Sequence, residues 1–299
     1  MFSRYKKFIW IVLTLLAALG LSACASFLAP EPTPTPQATF TPEPPTATPE
    51  PMALTVNGEG ISLVDFDAEV ARYIAAQDAL GKPVSSTDAT SVVIEDLIAQ
   101  LLLAQGARTN GFTLDDSALQ SRVDSLAAQI GGKEVLSKWQ AEHGYSEQAF
   151  RSALKRGAES AWMRDKIVTA LPSTVEQVHV QQILLYNEGT AQSFLAQLNG
   201  GADFDELALE ADPLTRGDLG WVPRGYLLDA KFEEIAFALA VGEHSDVITT
   251  DVGFHILRVL ERDMGRPLSP DATLALQEIA LKQWIEAQRQ QADVVLAPQ

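Results

Sequence analysis

The chain has 299 residues, enough for about two domains of ordinary size, and 22 Lys+Arg against 39 Asp+Glu give a formal net charge of −17. That balance argues against nucleic acid, which needs a basic stripe, and against charge-driven adhesion to anionic lipid. The single cysteine, Cys24, rules out a disulfide or a thiolate metal site within one chain, and His143, His179, His244 and His255 show no paired ligand spacing. Neither a metal nor a cofactor is expected.

At the start, Arg4, Lys6 and Lys7 precede an apolar run over 8–19 and then Leu21-Ser22-Ala23-Cys24. A basic beginning, a short apolar run and small residues before a cut predict a secretory signal over 1–23 rather than a spanning helix. The last four residues resemble a bacterial lipobox. The resemblance implies lipidation of Cys24 and a body anchored outside the cytoplasm on the bacterial cell membrane. Residues 24–51 hold nine of the sixteen prolines, interleaved with threonine and glutamate, so no packed core is expected there. Such a segment favours polyproline II at about 3.1 Å per residue and reads as a stalk.

From Met52 the composition turns globular. Residues 54–61 read as a strand pair turning at Asn57-Gly58, and Ser62 as the cap of a helix with Asp65 in its first turn. A helix over about 86–108 packs Val92, Val93, Ile94, Leu97, Ile98, Leu101 and Leu102 too densely for burial on one side, and Asn110-Gly111 ends it. Another begins near Leu114-Asp115-Asp116, spaces Leu119, Val123 and Leu126 at i, i+4 and i+7, and stops at Gly131-Gly132. Helices over 134–143 and 146–171 follow, split by Gly144. A mainly α-helical domain over 52–175 results, with no catalytic constellation in it. Its stretches 55–62 (Thr-Val-Asn-Gly-Glu-Gly-Ile-Ser), 97–102 (Leu-Ile-Ala-Gln-Leu-Leu) and 144–151 (Gly-Tyr-Ser-Glu-Gln-Ala-Phe-Arg) resemble the N-terminal helical domain of the SurA-like and PrsA-like chaperone-foldases. That resemblance implies a surface for unfolded clients.

Apolar runs over 178–186 and 254–260 read as strands, since β-branched and aromatic residues alternate with polar ones. Between them stand Gly200-Gly201, a helix stop, then Arg216-Gly217-Asp218-Leu219-Gly220-Trp221, Arg224-Gly225, the helix-like 232–239, Val241-Gly242-Glu243 and Thr250-Asp251-Val252-Gly253-Phe254-His255. This ordered set resembles the parvulin-type peptidyl-prolyl isomerases. The resemblance implies an α+β unit over 176–262, a four-stranded antiparallel sheet with surrounding helices, attached to the helical domain. Position by position it implies a polar catalytic set of Asp212, Thr250 and His255, with Gln182 where the family places its first histidine. Phe232 would floor a proline pocket with Leu219 and either Leu227 or Leu228 as walls. Phe237 on the same helix belongs to that apolar set or to the core. His179 precedes Gln182 by three residues, so strand alternation turns it to the other face. The loop between Asp212 and Gly217 is shorter than in many relatives.

Residues 263–299 contain a last helix, 270–292, which the resemblance returns to the helical domain. The expected function is a lipid-anchored extracytoplasmic foldase that isomerises Xaa-Pro bonds in newly exported or unfolded proteins. The alternative is a holdase whose parvulin fold binds extended chain without turning it over. Neither reading sets an oligomeric state.

Overall fold

A computed structural model of the chain describes residues 50–227 and 229–297. The predicted signal, Cys24, most of the proline-rich segment and Leu228 lie outside the described residues.

The chain begins with β1 (Met52–Val56) and β2 (Glu59–Ser62), paired antiparallel from Val56↔Glu59 outward. The turn between them places Asn57 and Gly58 at φ of 52° and 80°, the left-handed pair that a tight hairpin turn requires and that Asn-Gly adopts at least cost. Ser62 then accepts the Asp65 N–H and starts α1 (Leu63–Ala79). Four helices follow: α2 (Ser86–Thr109), α3 (Asp116–Ile130), α4 (Lys133–Glu142) and α5 (Glu147–Thr169). Ser85, Asp115 and Ser146 cap α2, α3 and α5 in the same manner.

Helix α2 is the axis of this part. Val93, Leu97, Ile98, Leu101 and Leu102 pack with Leu54, Val56, Ile61 and Phe66. Leu103 and Ala107 pack with Met163 of α5. Two partners on two sides explain why its apolar residues crowd rather than follow one stripe. Each leucine buried this way contributes roughly 1.5–3 kcal/mol.

The second part opens with β3 (Thr174–Leu185) and continues through α6 (Glu188–Asn199), α7 (Phe204–Ala211), β4 (Asp218–Pro223), α8 (Ala230–Ala238), β5 (Ile248–Thr250) and β6 (Gly253–Pro267). The sheet is antiparallel in the order β4-β3-β6-β5. Alternation along the two central strands divides two cores. Val178, Val180, Val222, Leu257 and Val259 meet Phe232, Ala236 and Phe237 of α8 on one face. On the other, Ile183, Leu185 and Ile256 meet Ala191, Phe194, Leu198, Phe204 and Leu207 of α6 and α7.

Both central strands extend beyond their apolar runs. They form a two-stranded ribbon that pairs Thr174 with Pro267 and Val175 with Arg266, with a bulge before Gln177. The Gln177 side chain is buried there and its Nε2 donates to the carbonyls of Arg266 (2.9 Å) and Pro267 (3.1 Å), so the bulged glutamine ties the two strands together. A ribbon held by polar groups gives no hydrophobic period, so the strand limits read from the sequence fall short.

After the ribbon, α9 (Pro270–Arg289) packs on α2 and α5, and β7 (Val294–Leu296) adds a third strand to β1 with Leu54↔Leu296 and Val56↔Val294. Gly106 of α2 is the notch for Trp284 of α9: a Cβ at Gly106 would stand 2.5 Å from Trp284 Cη2. The Asn57 N–H donates to the Asp293 carbonyl (2.8 Å) and the Asp293 N–H returns to Asn57 Oδ1 (2.9 Å), which locks β7 to the hairpin turn.

Candidate active site

The polar centre lies where β3, β5 and β6 run side by side. Register places Ile183 opposite Ile256 and Gln182 opposite Leu257, so Gln182 and His255 project diagonally from the same face of neighbouring strands. His255 Nδ1 is 2.9 Å from Gln182 Oε1, and His255 Nε2 is 2.8 Å from Thr250 Oγ1. The amide oxygen accepts, so Nδ1 carries the proton and Nε2 takes the Thr250 hydroxyl proton. That hydroxyl oxygen in turn accepts the Val252 N–H at 3.2 Å. A one-way chain results, from the backbone of the β5–β6 turn through Thr250 and the imidazole to Gln182. The sequence assigned Gln182, Thr250 and His255 to one site, and the structure brings these three together. Val252 was not anticipated, because a main-chain donor leaves no residue signature.

His255 is 5 % exposed, and this burial holds its imidazole below the ordinary histidine range against the opposing pull of the Asp229 carboxylate. Phe232 meets it edge to face, with ring centroids 5.2 Å apart and planes at 88°. Asp229 caps α8 by accepting the Phe232 N–H at 2.9 Å, and so sets the height at which that ring enters the site. Leu219 and Leu227, both half-buried, pack on the same core. Leu227 therefore stands with Phe232; Leu228 is outside the described residues. Phe237 is buried in that core as fully as Phe232, beneath the Arg224 guanidinium 4.1 Å above its ring, with its carbonyl accepting from Arg262 Nη2 at 2.9 Å.

Asp212 is placed differently. Its Oδ1 accepts the N–H groups of Leu214 (3.0 Å) and Thr215 (3.2 Å), and its Oδ2 accepts the Thr215 hydroxyl and the Gly217 N–H (3.3 Å). These bonds, the Thr215 hydroxyl foremost, hold its carboxyl at about 2. None of them reaches His255, so the structure does not join Asp212 to the imidazole. Four residues between Asp212 and Gly217 leave just enough chain for the carboxylate to close its own loop. The closed loop is docked on β3: the Gln182 N–H donates to the Gly217 carbonyl at 2.8 Å, and Gln181 Nε2 donates to the Arg216 carbonyl at 2.9 Å. Gly217, at φ 67°, lies so close to β3 that a Cβ there would overlap the Gln182 carbonyl oxygen. Asp212 is thus connected to Gln182 through the loop backbone at Gly217.

His179 lies on the opposite face, with Nε2 2.8 Å from Asp218 Oδ1 and its ring stacked on Trp221 at 5.4 Å. Among the described residues no group of three or more His, Cys, Asp or Glu side chains is arranged to hold a metal ion.

A buried aromatic floor flanked by two half-buried leucines thus stands beside a polar chain that holds an imidazole at both nitrogens. Residues 166–263 match the family model of the PPIC-type PPIase domain, and this part of the chain is a domain of that family. Curated relatives extend the likeness. The foldase protein PrsA of Geobacillus sp. (strain WCH70) is 28% identical over 190 residues, covering 59% of this chain and 65% of the relative. The chaperone SurA of Ralstonia nicotianae is 28% identical over 214 residues, covering 58% and 43%. The chain thus spans less than two thirds of the length of each of these relatives. Among solved structures, PrsA from Bacillus cereus covers 81% of this chain and 87% of its own length at 18% identity, with a TM-score of 0.42.

Proposed function

We propose that the chain is an extracytoplasmic foldase that catalyses cis–trans isomerisation of Xaa-Pro bonds in exported proteins and is tethered to the cell membrane through lipid on Cys24. The observation that carries the reading is the Thr250–His255–Gln182 chain, whose imidazole meets the Phe232 ring edge to face. The helical part with α9 and β7 forms the chaperone domain of this foldase.

An Xaa-Pro bond isomerises over a barrier close to that of other peptide bonds, near 18–20 kcal/mol, and lowering it needs no nucleophile and no cofactor. At the crest the amide loses conjugation, and its nitrogen becomes pyramidal and more basic. The pocket of Phe232, Leu219 and Leu227 holds the proline ring while the flanking chain turns. The buried imidazole, already neutral and fixed at both nitrogens, presents oriented dipoles without a solvent rearrangement. An acceleration of three to four orders of magnitude requires about 4–5.5 kcal/mol, within reach of such a pocket and its polar chain.

The test is isomerisation of Xaa-Pro tetrapeptides by the purified protein, followed by NMR exchange, beside His255→Ala and Phe232→Ala. Turnover lowered by both changes, with circular dichroism intact, supports the enzyme. A folded protein without turnover that still binds these peptides is the holdase of the second reading. Two features favour that reading: Gln182 in place of a second imidazole, and Asp212 turned into its own loop.

A further inference from the structure

Asp229 occupies the N-cap of α8 with one carboxylate oxygen on the backbone N–H of Phe232 at 2.9 Å, the residue whose ring meets His255. It is exposed, and among the described residues no Lys, Arg or His forms an ion pair with it. The two cations nearest in sequence are turned to other tasks. Lys231 lines a separate cleft with Asn199, Leu239 and His244. Arg224 stacks on Phe237 and pairs with Glu176 at 3.6 Å. A helix cap needs no charge, since asparagine caps as well as aspartate. The formal charge at position 229 is therefore free to act on whatever enters the pocket, and its field already reaches His255.

We propose that Asp229 selects Xaa-Pro segments that carry a lysine or arginine directly before or after the proline. The inference rests on the isomerase-fold pocket being the site where client chain binds. A proline ring on Phe232 brings the side chains flanking it to the Asp229 carboxylate. The attraction acts through partly exposed space, where a unit charge several ångströms away shifts an equilibrium by a few-fold and no more. Asp251, exposed in the β5–β6 turn beside Thr250, adds to the same sign of field.

The experiment uses the full-length protein with tetrapeptides bearing Lys, Ala or Glu on either side of proline. It reads kcat/KM from NMR exchange and affinity from shifts of the His255 ring resonances. The expected result is a Lys-over-Glu preference of about three- to ten-fold at low ionic strength, shrinking toward one in about 0.5 M salt. In Asp229→Asn the helix cap persists, so the preference should collapse while Phe232 keeps its contact with His255. Equal values for Lys and Glu, or a preference that survives Asp229→Asn, overturns the proposal. Absence of turnover on every peptide removes the isomerase reading instead, and the binding ratio then still decides the role of Asp229.

Discussion

Gln182 Oε1 and His255 Nδ1, 2.9 Å apart on neighbouring strands, fix the tautomer of the only imidazole among the described residues that touches Phe232. With Thr250 Oγ1 on the other nitrogen, the ring has no freedom to flip without losing both bonds. Glutamine at position 182 is thus a full hydrogen-bond partner rather than a gap in the network. Replacing it with leucine leaves a buried N–H without an acceptor. Gln182→Leu should cost about 1–3 kcal/mol of stability in urea denaturation and lower turnover about ten-fold or more. Unaltered turnover would place the catalytic contribution elsewhere in the pocket.

Because burial lowers the His255 pKa, its titration has a definite sign. As pH falls the unfolded chain, titrating near 6.5, takes up the proton before the folded one does. The stability from the neutral ring is complete above about pH 6.5 and is lost as pH falls through the folded value. Protonation also forces Nε2 to donate toward the Thr250 hydroxyl oxygen, reversing that one link while Nδ1 keeps donating to Gln182 Oε1. A histidine-resolved NMR titration should give a midpoint below 6.5 for His255, with turnover declining over the same range. A midpoint above 6.5 would contradict the buried neutral ring.

Gly217→Ala tests the docking of the short loop. The added Cβ meets the Gln182 carbonyl oxygen at a position whose φ of 67° already disfavours any side chain. A loss of about 2–4 kcal/mol is expected, with turnover falling in whatever fraction stays folded. The readouts are the urea midpoint and the exchange rate of the Gln182 amide, which donates to Gly217.

Asp212→Ala separates two roles for that carboxylate. A direct catalytic part would lower turnover without changing the loop. The geometry predicts the reverse order: faster amide exchange at Leu214, Thr215 and Gly217, and a smaller fall in turnover that follows the loosened loop. The same carboxyl, held at about 2, keeps its loop bonds above about pH 4 and gives them up as pH falls toward 2.

Gly106→Ala should push Trp284 out of its notch and cost about 1–3 kcal/mol in the helical part. On a Trp284→Ala background the same change should cost much less, since nothing then fills the space. A double-mutant cycle by thermal unfolding measures the difference, and additive losses would mean that the notch does not seat the indole.

Much of this architecture is legible in the residues themselves. Asn57-Gly58 with Ser62 announces the hairpin and the helix after it, and the glycine-bracketed order from Gln182 to His255 announces the sheet. Other parts carry no local signal. Strand β7 is three residues long and owes its conformation to pairing with Leu54 and Val56, more than 230 positions away. The ribbon is held by Gln177 to carbonyls of Arg266 and Pro267, and a glutamine reads as surface until its partners are known. Asp212 shows the limit for the site: its residue type is right for a polar centre, but loop length decides what it touches. Asp229 goes unnoticed because a cap before a helix already accounts for it.

The pairing of β1 with β7, and of Gly106 with Trp284, has a consequence for the birth of the molecule. A chain made from its N-terminus presents β1 and α1–α5 first, yet these lack a strand and a packing helix until residues 270–297 appear. The sheet of β3 to β6 is complete once Pro267 is made, while the helical part still waits with an open flank. In kinetic terms the inserted part is a finished passenger inside an unfinished carrier. A truncation before Trp284 should leave the sheet of β3 to β6 protected from proteolysis and the helical part, still joined to it, exposed.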